Sequence, residues 1–228
     1  MGPFTVFLPV YNEEEILVAN TEKLLYFLDS LQTPYEVLIG SNGSEDATPR
    51  LGEALEQRYP QVRFFHLPEK GPGTAFRKAV ELMRYGAIIS LDMDLSVALQ
   101  FVSDALQLLA DYDIVVGSKK LGIENRSLYR RLGSGLFITY SKWLGLPFDD
   151  YSLGAKAYRK SIVETYRDVI GTGTFYVQHI LYLAHRDGLK LIQVPVECMD
   201  NRSSRFNLWR EGFYKFWNIS QLWLRRGK

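Results

Sequence analysis

The feature that most constrains this chain is an alternation of short apolar segments with longer amphipathic segments through its first half. Apolar segments rich in β-branched and aromatic residues predict strands, and apolar residues spaced three or four apart predict helices. Strands that alternate with helices over short connections favour a mostly parallel sheet covered on both faces. We predict strands at 5–10, 35–40, 62–66, 87–91 and 114–116, and helices ending near Ser30 and at 48–58, 73–83 and 99–109.

The first predicted helix follows Tyr11-Asn12-Glu13-Glu14-Glu15. Asn12 suits the position that caps a helix amino terminus, and the glutamates suit its first turn.

After Gly117 the alternation weakens. There the pattern predicts helices at 128–143, 177–185 and from about Leu208, and strands at 155–158 and 191–196. We expect one α/β domain over residues 1–207, followed by a carboxyl-terminal helix over 208–228.

Composition narrows the functional class. The 228 residues are 46% apolar, which is enough for a sizeable core. Lys and Arg number 27 against 26 Asp and Glu, so we expect no nucleic-acid partner held by counterion release. Cys198 is the single cysteine, which excludes an intramolecular disulfide and a cysteine-based zinc site. The amino terminus lacks the pattern of a signal peptide and no apolar run approaches 20 residues, so we expect a cytoplasmic protein without a transmembrane helix.

Two carboxylates one residue apart, Asp92 and Asp94, follow the predicted strand at 87–91. Ligands of parallel sheets bind at the carboxyl edge of the strands, where this pair is expected to lie. Mg²⁺ and Mn²⁺ favour oxygen ligands and are often held by one or two carboxylates together with substrate phosphates. Asp92, Asp94 and Ser96 are therefore candidate ligands for Mg²⁺ or Mn²⁺. Ser96 could instead cap the helix that follows.

Five motifs occur in an order that resembles a known family: 9–14 (Pro-Val-Tyr-Asn-Glu-Glu), 43–48 (Gly-Ser-Glu-Asp-Ala-Thr), 71–75 (Gly-Pro-Gly-Thr-Ala), 92–96 (Asp-Met-Asp-Leu-Ser) and 116–119 (Val-Gly-Ser-Lys). Together they resemble the family 2 glycosyltransferases of the GT-A fold, and most closely the dolichyl-phosphate mannosyltransferases and other polyprenyl-phosphate glycosyltransferases. Later segments at 150–158, 176–178, 194–196 and 202–205 agree with this resemblance.

The resemblance implies a binding site for a nucleoside diphosphate sugar. Pro9, Tyr11 and Glu13 would contact the nucleobase and ribose, and Asp92 the metal or ribose. Asn42 lies where the family usually carries an acidic residue that accepts a hydrogen bond from the base. Because an amide both donates and accepts, the base preference can differ here.

The resemblance also assigns cationic residues to two phosphate-bearing substrates. Lys119, Arg126 and Arg131 would hold the acceptor phosphate, and Arg202 with Arg205 would close over the donor diphosphate. Arginine is well suited to such contacts because its guanidinium group binds phosphate through two hydrogen bonds. Asp94, Arg131 and Arg202 would take part in catalysis.

These residues predict an inverting transfer of a hexosyl group to a polyprenyl or dolichyl phosphate, with GDP-mannose as first choice of donor and UDP-glucose as second. Two alternatives remain open. The acceptor could be a saccharide or protein hydroxyl, with Asp149 or Asp150 as the base, or the chain could be a non-catalytic subunit that binds nucleotide sugars.

A lipid acceptor implies contact with a membrane. The segment 209–228 is dense in aromatic residues and ends in cations, which is typical of a helix at a bilayer interface. We therefore expect peripheral attachment at the cytoplasmic face of a membrane. A docked helix, a membrane subunit or a homo-oligomer contact are the other interpretations of this segment.

Overall fold

The computed structural model describes residues 2–119, 148 and 153–198. Within these residues seven strands form one sheet: β1 Phe4–Val10, β2 Tyr35–Asn42, β3 Val62–Leu67, β4 Ala87–Ser90, β5 Ile114–Ser118, β6 Lys156–Arg159 and β7 Leu191–Pro195. The helices are α1 Leu17–Ser30, α2 Thr48–Arg58, α3 Pro72–Leu82, α4 Gln100–Leu108, α5 Lys160–Thr165 and α6 Tyr176–Arg186, with a 3₁₀ turn at Arg167–Val169.

The strand order is β3-β2-β1-β4-β6-β5-β7. All neighbouring strands run parallel except β6, which is antiparallel to both β4 and β5. This arrangement confirms the predicted α/β class with a mostly parallel sheet. Because β6 runs in the reverse direction, its first residues lie at the edge where its neighbours end.

Helices cover both faces of the sheet, and each face has its own apolar core. Side chains of successive strand residues point to opposite faces, so Val6 and Leu8 pack with α1, α2 and α4, whereas Phe7 packs with α3, α5 and α6. Strands buried on both faces are continuous apolar runs, which explains why the pattern of the first half was informative.

The predicted start of the first helix is wrong. Helix α1 begins at Leu17, its cap position is Ile16, and its first turn contains no acidic residue. Asn12 has a positive φ of 53° and lies in the loop that follows β1. Asparagine tolerates this left-handed conformation, so the residue serves a loop and not a helix end.

Three predictions concern residues outside the described part of the chain: the helix at 128–143, the helix from about Leu208 and the boundary between residues 207 and 208. In the described part, none of the helices is both long and apolar enough to cross a membrane.

The start of α3 packs directly against the loop that precedes α6. Gly73 donates its backbone N–H to the Thr172 carbonyl at 3.0 Å. A Cβ atom at Gly73 would lie 1.9 Å from the Gly171 carbonyl oxygen and 2.8 Å from that of Gly173. Only glycine permits this approach of two backbones.

We therefore predict that Gly73→Ala destabilises the fold. The added methyl group must displace the backbone of the loop at 171–173, which we expect to cost about 1–3 kcal/mol. Gly86→Ala is the matched control, because a Cβ atom there meets nothing within 4 Å. Urea unfolding of both variants measures the effect, and equal stability of the two would contradict the contact.

Candidate active site

Two loops at the carboxyl edge, after β1 and β2, are joined by hydrogen bonds. The Asn12 N–H donates to Ser44 Oγ at 3.1 Å, and the Glu45 N–H donates to Asn12 Oδ1 at 2.9 Å. The Glu13 N–H donates to Thr48 Oγ1 at 2.9 Å. The neighbouring loop thus fixes the backbone on which Tyr11 and Glu13 are carried.

A second set of bonds extends this junction. The Glu14 N–H donates to Asp46 Oδ2 at 3.2 Å, while Glu14 Oε2 accepts from the Ala47 N–H at 2.7 Å. Burial alone would raise the pKa of Asp46. Hydrogen bonds from Thr48 and the Glu14 N–H stabilise the charged form, however, and the pKa lies below its ordinary value. Both carboxylates serve the loop junction and the start of α2.

Asn42 joins three elements at this edge. Its Nδ2 donates to the Val10 carbonyl at 2.9 Å, and its Oδ1 accepts from the Gly71 N–H at 3.1 Å. The side chain is buried, with 4% of the residue exposed. A nucleobase contact at Asn42 stays a prediction, and the structure gives this amide a role in holding the ends of β1, β2 and the start of α3 together.

Tyr11 is partly exposed and carries a cation on its ring. The Lys70 ammonium lies 3.5 Å from the ring centroid, within the range of a cation–π contact. Pro9 lies within β1 and is paired with Gly40 of β2. The pairing of β1 with β4 ends two residues earlier, at Phe7 and Ser90. A proline is tolerated at this position because β4 has already ended.

Asp92 begins the loop that follows β4 and is held by a residue from the segment before β6. Its Oδ2 accepts the Gly154 N–H at 2.8 Å. A Cβ atom at Gly154 would lie 2.4 Å from Asp92 Oδ1, so glycine is required for this close contact. The antiparallel direction of β6 brings Gly154 to this edge.

Asp94 lies in a tight turn of the same loop. Its Oδ1 accepts the Ser96 N–H at 3.0 Å, and Leu95, with a φ of 48°, donates its N–H to the Asp92 carbonyl at 3.0 Å. Asn20 Nδ2 on α1 donates to the Met93 carbonyl at 2.9 Å. The cap position of α4 is Leu99, so the alternative interpretation of Ser96 as the cap of the following helix is wrong.

Negative charge concentrates around Asp92. Burial raises the pKa of this carboxyl group, and the nearby carboxylates of Asp94 and Glu13 raise it further. The Gly154 N–H and the Lys156 ammonium act in the opposite direction. Burial also raises the pKa of the Tyr176 hydroxyl, with a further contribution from the Asp92 carboxylate. A bound cation would relieve this repulsion between acids.

The arrangement of oxygens fits Mg²⁺ or Mn²⁺. The Gly154 N–H bonds to Asp92 Oδ2, and the Ser96 N–H bonds to Asp94 Oδ1. Among the residues that the structure describes, none donates a hydrogen bond to the second oxygen of either carboxylate. In that part of the chain, there is no cluster of three or more His, Cys, Asp or Glu residues that could hold a metal ion by itself. Two carboxylates suit a cation that takes its remaining ligands from water and substrate phosphates.

Of the cationic residues proposed to bind phosphate, Lys119 lies in the described part of the chain. It directly follows β5 and is therefore at the same edge of the sheet. The segment after β7 pairs with the segment after Asp94, through a bridge between Val97 and Cys198 and a bond from the Ala98 N–H to the Glu197 carbonyl at 3.1 Å. This pairing places Glu197 and Cys198 next to the acidic loop.

Several predicted site residues lie outside the described part of the chain, and their roles remain predictions: Arg126, Arg131, Asp149, Asp150, Arg202 and Arg205. The described candidates, in contrast, gather at one edge of the sheet: Pro9, Tyr11, Glu13, Asn42, Asp92, Asp94, Ser96 and Lys119. Sequence reasoning placed Gly154, Lys156 and Tyr176 in segments that resemble the family but gave them no role in the site, and it did not mention Lys70. None of the four lies in the loop whose residues it contacts.

Comparison with known proteins agrees with this architecture. The model of glycosyl transferase family 2 matches residues 5–167. Glycosyltransferase AglD of Haloferax volcanii is 25% identical over 218 residues, which cover 91% of this chain and 35% of that protein. The polyprenol monophosphomannose synthase of Mycolicibacterium smegmatis is 28% identical over 203 residues, covering 84% of this chain and 75% of the synthase. The chain thus spans about a third of AglD.

Among solved structures, the mannosyltransferase PcManGT of Pyrobaculum calidifontis, in complex with GDP-Man and Mn²⁺, superposes with a TM-score of 0.68. It is 19% identical, and the match covers 99% of this chain and 65% of that one. At this identity the likeness shows the fold alone.

The fold and the family match together define the class: this chain has a GT-A-like, Rossmann-type fold whose carboxyl edge carries the acidic loop. The chain belongs to glycosyl transferase family 2. The predictions of the family and of the fold are confirmed.

The contact between Gly154 and Asp92 yields a test of the site. We predict that Gly154→Ala weakens the binding of Mn²⁺ together with GDP or UDP by about 10-fold, because the methyl group pushes the Asp92 carboxylate out of position. Isothermal titration calorimetry measures the affinity, and Gly86→Ala is again the control. Unchanged affinity in Gly154→Ala would show that the position of Asp92 does not matter for the metal.

Proposed function

We propose that this protein transfers one hexosyl group from a nucleoside diphosphate sugar to a polyprenyl phosphate, with inversion at the anomeric carbon. GDP-mannose is the first choice of donor and UDP-glucose the second. The observation that carries the proposal is the pair of carboxylates, Asp92 and Asp94, at the edge where Tyr11 and Glu13 also lie. Each has one oxygen that accepts no hydrogen bond from the described residues. The similarity to the polyprenol monophosphomannose synthase supports the acceptor class, and the GDP-Man and Mn²⁺ bound to PcManGT support the mannosyl donor and the metal.

The donor would lie across the carboxyl edge of the sheet. Tyr11 and Glu13 lie in a loop that is bonded to the loop after β2, and they would contact the base and ribose. Asp92 and Asp94 would hold Mg²⁺ or Mn²⁺ against the diphosphate, and Ser96 is the third proposed ligand. When bound, this cation supplies positive charge that stabilises the departing nucleoside diphosphate.

The acceptor would supply the nucleophile without help from a base. A phosphate oxygen of the lipid is already anionic at neutral pH. It would form a bond to the anomeric carbon as the bond from that carbon to the diphosphate oxygen breaks, and the nucleoside diphosphate would leave with the electron pair. Two phosphate-bearing substrates repel each other, so Lys119, Arg126 and Arg131 would balance the acceptor, and Arg202 with Arg205 the diphosphate.

One assay tests the activity. The whole protein is incubated with labelled GDP-mannose, UDP-glucose or UDP-N-acetylglucosamine, a short polyprenyl phosphate, and Mg²⁺ or Mn²⁺, and lipid-linked sugar is extracted and counted. We expect product with at least one donor. A parallel reaction with polyprenol, the matching alcohol, identifies the acceptor chemistry: product from the alcohol would favour a hydroxyl acceptor. An absence of lipid-linked sugar with every donor would remove the proposal.

A substitution tests the metal. We predict that Asp94→Asn lowers the transfer rate by more than about 100-fold, because the amide keeps the shape of the side chain but loses the charge that binds the cation. The matched control is Asp111→Asn, an exposed acid after α4 that should leave the rate unchanged. Removal of divalent metal with EDTA should abolish transfer in the unaltered protein. Activity that persists in EDTA would contradict metal dependence.

Peripheral membrane attachment is also part of the proposal and rests on the composition of 209–228. We predict that deletion of these residues reduces co-sedimentation with vesicles that contain anionic lipid. Arg225→Gln combined with Arg226→Gln should reduce binding to anionic vesicles and leave binding to neutral vesicles unchanged. Each basic residue near an anionic surface contributes about 1 kcal/mol to binding. Undiminished binding of the deletion variant would show that the membrane contact lies elsewhere or is absent.

A further inference from the structure

Lys156 is a buried lysine at the first position of β6. Only 2% of the residue is exposed, and it is paired in the sheet with Ser90 of β4 and Val116 of β5. Lysine is rarely buried to this extent unless its charge is compensated. Its ammonium group donates a hydrogen bond to the Leu153 carbonyl. A buried charge at the inner end of the acidic site calls for a physical explanation.

The Leu153 carbonyl and the Gly154 N–H belong to one peptide group. In a planar trans peptide these two groups point in opposite directions. The carbonyl accepts from Lys156, and the N–H donates to Asp92 Oδ2 at 2.8 Å. The three groups therefore form a continuous path from the ammonium, through the peptide, to the carboxylate.

This path affects Asp92 in two ways. A cation bonded to the carbonyl oxygen polarises the peptide, which strengthens the N–H as a donor. The same bond prevents the peptide from rotating. The Gly154 N–H therefore keeps its direction and fixes the position of Asp92 Oδ2. The Lys156 ammonium further offsets the negative charge of Asp94 and Glu13 around Asp92.

We propose that Lys156 is a positioning residue, which orients the Asp92 carboxylate by holding its Oδ2 through the Leu153–Gly154 peptide. The role of Asp92 towards the donor rests on the proposed function. The orientation of Asp92 by Lys156 does not, and it is tested in the protein without any ligand.

The first measurement is made on the metal-free protein. With ¹⁵N-glycine labelling, the Gly154 amide signal is assigned by its absence in Gly154→Ala. In Lys156→Met we expect the Gly154 amide proton to move upfield, because its hydrogen bond to Asp92 is weakened. The matched control is Lys160→Met, which removes another lysine bonded to a backbone carbonyl, that of Met83 at 3.1 Å, at the opposite end of β6. This control should leave the Gly154 signal unmoved.

The second measurement is the affinity for Mn²⁺ with GDP and with UDP. We expect Lys156→Met to weaken binding by about 10-fold, as is typical when an outer partner of a metal ligand is lost. In an Asp92→Ala background the same change should weaken binding by less than about 2-fold, because Lys156 acts through Asp92. Equal weakening in both backgrounds would overturn the proposal, and so would an unmoved Gly154 signal.

A second variant covers the case in which Lys156→Met does not fold. Lys156→Gln keeps a donor for the Leu153 carbonyl but removes the charge, so we expect the same changes to a smaller degree. A Gly154 signal and an affinity equal to those of the unaltered protein would overturn the proposal. Failure of the proposed function looks different: the unaltered protein would bind Mn²⁺ with a nucleoside diphosphate and transfer no sugar.

Discussion

The hydrogen bond from the Gly154 amide to Asp92 connects segments that are 62 residues apart and is the contact on which the site depends. It exists because β6 runs antiparallel between β4 and β5. A parallel strand would present its last residues at this edge, followed by a loop leading away. The reversed strand instead presents its first residues, so the backbone that enters β6 meets the acidic loop directly.

The loops after β1, β2 and β3 are also held by hydrogen bonds between segments that are far apart in the chain. Each is bonded to a loop from a different strand: the segment after β1 to the segment after β2, and the start of α3 to Asn42 and to the loop before α6. Such a network fixes the site before any ligand arrives, which lowers the entropic cost of binding. The loops that carry Tyr11, Glu13 and Asn42 are thus held by long-range contacts, whereas Asp94 is held by a local turn.

This distinction explains what the sequence could predict. Helix α2 was predicted with its observed bounds, Thr48–Arg58, because its apolar spacing and flanking strands are local signals. The cap at Asn12 was wrong because Ser44 and Glu45, more than 30 residues away, use that side chain and its backbone. Helix α5 was not predicted, since its six residues contain one buried side chain, Val163, and show no periodicity.

The candidate site divides in the same way. Asp92 and Asp94 could be found from their place after a buried strand, and the structure puts them at the predicted edge. Gly154 and Lys156 lie in the segment 150–158 that the resemblance marked, but their roles could not be predicted, because neither periodicity nor composition indicates that β6 is reversed. The contribution of Lys156 becomes visible only when the Leu153–Gly154 peptide is seen to bond at both of its ends.

The use of each acid at this edge also bears on the acceptor. Glu14 and Asp46 accept backbone hydrogen bonds at the loop junction, and one oxygen each of Asp92 and Asp94 is used within the acidic loop and its Gly154 contact. The oxygens that remain on the two aspartates suit a cation. A hydroxyl acceptor needs a carboxylate that is both available and placed to take a proton. An ionised lipid phosphate needs none, so a phosphate acceptor agrees with an edge where Glu14 and Asp46 already serve the loop junction. Among the residues that the structure describes, this division of roles favours a phosphate acceptor over a hydroxyl acceptor, whose candidate bases Asp149 and Asp150 lie outside them.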